Sequence, residues 1–343
     1  MNPDRPKAPI TLAQAKDLIK AMAARQSILL LSPPGVGKSD IVHQAAAEAH
    51  LEVRSLLGTQ IAPEDVSGIP RIVGERSVFC PPRILLPETL KPFCLFLDEL
   101  PATSPDVQKA FYSLLLERRL GEHKLPEGTW VVAAGNRVED RAMVRAMSSA
   151  LVNRVFIIEV KGSVMDWLKW AKNHRVRADV RAFIAFQKHA LVRAVPPAPV
   201  PFSTPRAWAS LSEALDITEK AGLLTPSMAR SLAFARVSAE DAALFAACFK
   251  NELGDIKSPA DYVKNPKLLP KGNNSLMWII LNAIRSEVAD DALKGCTPGE
   301  VEGFLNAIGR EYRFTVLIDL VEKWQALGAG TSLVDILQET MGV

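Results

Sequence analysis

The sequence predicts an α/β domain, a parallel sheet covered by helices on both faces, followed by an all-helical region. Three observations predict it. Strand-sized apolar runs recur at residues 27–31, 93–97, 129–133 and 155–160, with helix-forming stretches between them. The runs are continuously apolar rather than alternating, as strands buried on both faces require. After Val160 the runs stop and only helical patterns follow.

Each element has a local reason. Residues 11–24 place Leu12, Ala15, Leu18, Ile19 and Met22 on one helical face, with Thr11 as a plausible N-cap. Residues 27–31 form a buried strand that ends in a Pro33-Pro34-Gly35 turn, and a helix follows over 39–50. Residues 104–117 read as one helix, as do 164–172, 178–190, 205–221 and 239–251. A proline-rich stretch at 195–205 is an ordered loop, and the polar stretch 258–274 reads as a linker. Helices are expected again over 275–286, 298–308 and 312–327. The expected division is an α/β domain over 1–161, a helical domain over 162–255 and a helical extension over 256–343.

Composition narrows the function classes. The chain has 343 residues, 48% of them apolar, enough for more than one packed core. A formal net charge of +3 gives no argument for a nucleic-acid or anionic-membrane surface. Cys80, Cys94, Cys248 and Cys296 show no CxxC spacing, and the five histidines show no metal-ligand spacing. Reduced thiols, a polar and proline-rich stretch from Met1 to Pro9, and strand-sized apolar runs lead us to expect a cytoplasmic protein with no membrane segment.

Two motifs carry chemistry. Ser32-Pro33-Pro34-Gly35-Val36-Gly37-Lys38-Ser39 fits the phosphate-loop pattern except at its first position, where Ser32 stands for glycine. Gly35 and Gly37 let the backbone turn its N–H groups towards phosphate oxygens, and the following helix points its positive end at the same anion. Pro34, Gly35, Val36, Gly37, Lys38, Ser39 and Asp40 are therefore the expected ATP-binding residues. Lys38 would reach the β- and γ-phosphates, and Ser39 would hold Mg²⁺. The bland alternative is a glycine turn before an ordinary helix, but strand and helix both stand where the motif needs them. The second motif is Cys94-Leu95-Phe96-Leu97-Asp98-Glu99, an apolar strand delivering two carboxylates at its C-terminal end. Asp98 would hold Mg²⁺, directly or through water, and Glu99 would orient and deprotonate the attacking water. An acidic pair after a strand is common as a solvated end; about sixty residues beyond a phosphate loop it is a stronger signal.

Together these motifs resemble the AAA+ ATPases, and more narrowly their MoxR-like branch in the dynein-related subfamily. The resemblance runs from about residue 10 to about residue 220 and draws on further stretches. Residues 130–137 resemble the sensor 1 strand, which implies that Asn136 helps hold the lytic water beside Glu99. Residues 150–155 resemble the segment with the arginine finger, which implies that Arg154 acts on a neighbouring subunit's nucleotide; Arg137, Arg141 and Arg145 are nearby competitors. Residues 202–208 resemble sensor 2, with Thr204 as N-cap, Pro205 in the first turn and Arg206 contacting the γ-phosphate, in its own or a neighbour's site. The helical domain over 162–255 would then be a lid.

Residues 63–82 resemble the helix-2 insert with a hairpin between Ile72 and Phe79, and residues 120–126 resemble the pre-sensor-1 hairpin. Both face the central pore in relatives. The resemblance implies a ring, a hexamer in the first instance. It also implies a protein client that is assembled or activated, and a partner with a von Willebrand factor A domain. The alternative is a nucleic-acid translocase of the same clade. The near-balanced charge and the mixed hairpin tip of Glu122, His123 and Lys124 weigh against it. A ring that binds ATP without turnover is a third reading, opposed by Asp98, Glu99 and Asn136. We assign no resemblance to the segment beyond about residue 255.

Overall fold

The structure, a computed structural model, describes residues 8–87, 91–120, 122–140, 147–250, 257–289, 291–317 and 320–328. The chain divides into two compact units, Met1–Asp166 with Ala194–Ala198, and Trp167–Arg193 with Pro199–Val343.

The first unit is built on a parallel sheet of six strands. In chain order these are β1 (Ile10–Thr11), β2 (Ile28–Leu31), β3 (Val53–Leu57), β6 (Cys94–Asp98), β9 (Trp130–Gly135) and β10 (Phe156–Lys161), in spatial order β1-β10-β2-β9-β6-β3. Period-2 alternation splits each apolar run between the two faces. Ile28, Leu30, Phe96, Val132 and Ala134 pack on α1 (Leu12–Met22) and α2 (Lys38–Glu48). Leu29, Leu31, Leu95, Leu97, Val131 and Ala133 pack on the other side with Val107 of α4 (Pro105–Ala110) and Leu114 of α5 (Tyr112–Glu117). The parallel strands thus have helices on both faces, as the continuous apolar runs predict.

Local chemistry sets the ends. Thr11 caps α1 through a capping box with Gln14, as its position predicted. α3 (Pro63–Ser67) precedes an antiparallel hairpin of β4 (Ile69–Val73) and β5 (Arg76–Cys80). A shorter hairpin joins β7 (Arg119–Leu120) to β8 (His123–Lys124), and His123 Nε2 lies 3.2 Å from the Phe79 carbonyl oxygen, linking the two hairpins. α6 (Ser149–Val152) leads into β10, and α7 (Val164–Asn173) follows.

The second unit is helical. Its core includes Phe183 of α8 (Ala178–Phe186), Trp208 of α9 (Pro205–Lys220) and Phe245 of α11 (Ala239–Lys250), with ring centroids 5.1 to 5.7 Å apart. Between α9 and α11 lies α10 (Pro226–Arg236), which the sequence reading missed although Thr225 and Pro226 form a good helix start.

Three expectations are corrected. The stretch 258–274 is not simply a linker: Ser258 and Asp261 form a capping box for α12 (Pro259–Lys264), which buries Tyr262 and Val263. The helix expected over 104–117 divides at Phe111 into α4 and α5. Beyond α13 (Asn274–Ala289) and α14 (Pro298–Ala307), the helix expected over 312–327 is two, α15 (Arg310–Leu317) and α16 (Val321–Ala326). Leu320, at φ −126° and ψ 12°, is non-helical just before α16. Among the described residues, no helix is long and apolar enough to cross a membrane.

Candidate functional site

The loop after β2 turns into α2 through two left-handed glycines, Gly35 at φ +75° and Gly37 at φ +114°. A side chain at Gly37 would strain that backbone, so glycine is what lets the loop curl over the helix start. Val36 is buried beneath the loop and Asp40 is exposed in the first turn of α2.

Lys38 is 8% exposed, and its ammonium is folded back across the loop. Nζ donates to Ser32 O at 3.2 Å, Ser32 Oγ at 3.1 Å, Pro33 O at 3.2 Å and Asn136 Oδ1 at 3.1 Å. Ser32, where the motif departs from glycine, is buried and supplies two of those acceptors.

Ser39 Oγ donates to Asp98 Oδ2 at 2.9 Å, joining the start of α2 to the end of β6. Glu99 follows at φ +57°, an uncommon conformation for a non-glycine residue and one that clusters at functional sites. Its N–H donates to Asp98 Oδ1 at 3.0 Å, and Thr59 Oγ1 donates to its Oε2 at 3.0 Å. The sequence reading missed Thr59, which lies just past the edge strand β3. The neighbouring Gly58 allows the approach, since a Cβ there would meet Thr103 Cγ2 at 2.3 Å.

Five expected residues thus meet at the C-terminal end of the sheet: Lys38, Ser39, Asp98, Glu99 and Asn136. Their chemistry is that of an anion cradle beside a carboxylate pair. A hydroxyl and a carboxylate oxygen 2.9 Å apart are hard oxygen donors of the kind Mg²⁺ takes alongside phosphate oxygens. Among the described residues, no cluster of three or more His, Cys, Asp or Glu forms a metal cage.

Residues 27–156 match the family model of the AAA domain, dynein-related subfamily. This segment is an AAA domain. The match takes in both motifs, Asn136 and Arg154, and stops short of Arg206. The chain is also similar to the solved Holliday junction branch migration motor RuvB of Thermotoga maritima, at 16% identity and TM-score 0.40, covering 81% of this chain and 80% of that one. A second similar structure is NtrX from Brucella abortus, at 14% identity and TM-score 0.38, covering 81% of this chain and 69% of that one. No curated protein matches the chain.

In the AAA domain, Arg137 is occupied within its own loop: Asp140, only 5% exposed, accepts from it at 2.6 Å, and Glu139 lies at 3.1 Å. Arg141 and Arg145 lie outside the described residues. Arg154 follows α6, and no contact found among the described residues joins it to the Lys38 cluster. Arg206 belongs to the second unit, exposed in the first turn of α9, where Thr204 Oγ1 caps the helix by accepting from Ala207 N at 3.0 Å. A buried clasp fixes that helix start. Asp241 accepts from Ser203 Oγ at 2.6 Å and takes both Nε and Nη2 of Arg193, at 3.1 and 2.6 Å. These ion-pair contacts raise the guanidinium's pKa.

Proposed function

We propose that the chain is a MoxR-like AAA+ ATPase that binds and hydrolyses ATP in an oligomeric ring to remodel, assemble or activate a protein partner. The observation that carries the reading is the Ser39–Asp98 hydrogen bond of 2.9 Å, beside a Lys38 ammonium that also reaches Asn136. Phosphate loop, acidic strand end and polar strand end converge on one point.

Residues 34–40 hold the phosphates, with Lys38 leaving its loop acceptors for phosphate oxygens, which are stronger partners for an ammonium. Ser39 and Asp98 would hold Mg²⁺, which would neutralise charge on the transferring phosphoryl group. Glu99 takes the proton of the attacking water, and Asn136 orients that water. Arg154 completes a neighbouring subunit's site, and Arg206 couples the helical lid over 162–255 to nucleotide state. We assign 256–343 as a helical C-terminal extension.

The hairpin β4–β5 suits a protein client. Ile69, Ile72, Val73 and Phe79 are all exposed on it, and exposed apolar side chains along a hairpin favour polypeptide over a phosphate backbone. A partner with a von Willebrand factor A domain remains part of the proposal on family resemblance. The nucleic-acid translocase reading would need tight, steeply salt-dependent binding to DNA or RNA.

The test is a mixing experiment. Arg154→Ala should bind ATP and lose turnover, and it should regain part of its rate when mixed with Glu99→Gln chains, which lend it an intact finger. Full turnover by Arg154→Ala alone would overturn the assignment.

A further inference from the structure

Among the described residues, Arg154 is held without a carboxylate partner. Its Nη1 donates to Ala150 O at 2.7 Å, and its guanidinium carbon sits 4.9 Å from the centroid of the Tyr112 ring. Its Nε is buried with no hydrogen-bond partner among the described residues. Arg137 differs, with Asp140 and Glu139 both within ion-pair distance. No such carboxylate is found for Arg154 among the described residues.

The ring that faces Arg154 is itself fixed. The Tyr112 hydroxyl on α5 hydrogen-bonds Ser148 Oγ, and that same oxygen caps α6 by accepting from Leu151 N at 3.2 Å. α5, the cap of α6 and the residue after α6 therefore form a closed chain of contacts: Ser148, the α6 backbone, Arg154, Tyr112 and back to Ser148. An aromatic face attracts a cation through its quadrupole and consumes none of its in-plane N–H donors. A carboxylate in that place would use the donors and cancel the charge.

We infer that Tyr112 is the positioning residue of the arginine finger, its ring holding the Arg154 guanidinium ready for the phosphates of a neighbouring copy's nucleotide. This rests on the reading of Arg154 as the finger. Tyr112 touches neither nucleotide nor reacting atoms in this scheme; it acts through Arg154.

The test compares Tyr112→Leu and Tyr112→Met, which remove the ring, with Tyr112→Phe, which keeps it and loses only the hydroxyl. Steady-state ATPase and nucleotide affinity are measured in the full chain. Loss of the ring should lower kcat by about tenfold with nucleotide affinity unchanged. Tyr112→Phe should stay within about threefold of the parent, since an exposed hydroxyl contact contributes little. Mixing either ring-less variant with Glu99→Gln chains should restore part of the rate, because the partner supplies a correctly held finger to an intact site. A variant that merely failed to fold would not be rescued, and the second ring-less variant guards against that outcome at one substitution.

Parental turnover in both ring-less variants, with Arg154→Ala inactive, would overturn the inference and leave the finger in place. An equal loss in Tyr112→Phe, or no rescue on mixing, would also overturn it. Full turnover in Arg154→Ala would remove the finger assignment itself, and this inference with it.

Discussion

Lys38 shows how a single residue can be poised for an anion. The acceptors that hold its ammonium include two backbone carbonyls, a hydroxyl and an amide oxygen, all neutral. A triphosphate offers charged oxygens, and charge-assisted bonds are roughly twice as strong as those to neutral acceptors such as these. We predict that Lys38→Ala weakens ATP binding by about thirtyfold or more, equivalent to about 2 kcal/mol, read by titration with a fluorescent nucleotide. An affinity within threefold of the parent would show that Lys38 does not meet the phosphates. The left-handed Glu99 and the Thr59 hydroxyl on its carboxylate belong to the same level. Glu99 was legible from the strand before it. Thr59 was not, because its contact spans forty positions of sequence and depends on how the edge strand β3 is laid down.

Elements show which signals the sequence carries openly. β2, β6 and β9 are buried end to end or nearly so, and their apolar runs could be read directly. β3 escaped because Val53, Arg54 and Ser55 on an edge strand mix polar and apolar character. Thr11 announced its helix because a capping box is local chemistry. Phe111 did not announce the break between α4 and α5, since it remains in right-handed helical geometry and no proline or glycine marks the place. Helix-to-helix contacts lie further from sequence view. Glu48 on α2 takes both Lys16 and Lys20 of α1, each at 2.7 Å. Hydrogen bonds from Lys16 and then Lys20 lower its carboxyl from the ordinary 4.5 to about 2. A depressed carboxylate stabilises the fold above its unfolded pKa and loses that contribution as pH falls through the folded one. The melting-temperature gap between the parent and Glu48→Gln should therefore be present at neutral pH and shrink between pH 4.5 and about 2. Added salt should shrink it too, because the pair is exposed. A gap independent of pH would mean that the ion pairs contribute nothing.

The whole molecule joins an AAA domain to a helical unit, and its two halves were not equally legible. The alternation of apolar runs and helices gave away the sheet, while in the second unit the fold of 258–274 emerged only with its buried Tyr262 and Val263. The Asp241 clasp that fixes the foot of α9 draws on Arg193 and Ser203, 48 and 38 positions away, beyond the reach of any local pattern. If sites are completed between copies, turnover per subunit must depend on assembly. We predict a specific ATPase rate that climbs with protein concentration and levels off as the ring fills, with sizing run in parallel. A flat rate from a monomeric sample would contradict shared sites.

The measurement to make before these is phosphate release by the parent and by Glu99→Gln at saturating Mg·ATP, paired with ATP binding by both. Parental turnover should fall by about a hundredfold or more in Glu99→Gln while ATP affinity stays within about threefold, as removal of a general base from an intact phosphate cradle requires. Equal turnover in the two proteins would mean that the carboxylate pair at the end of β6 does not perform the hydrolysis.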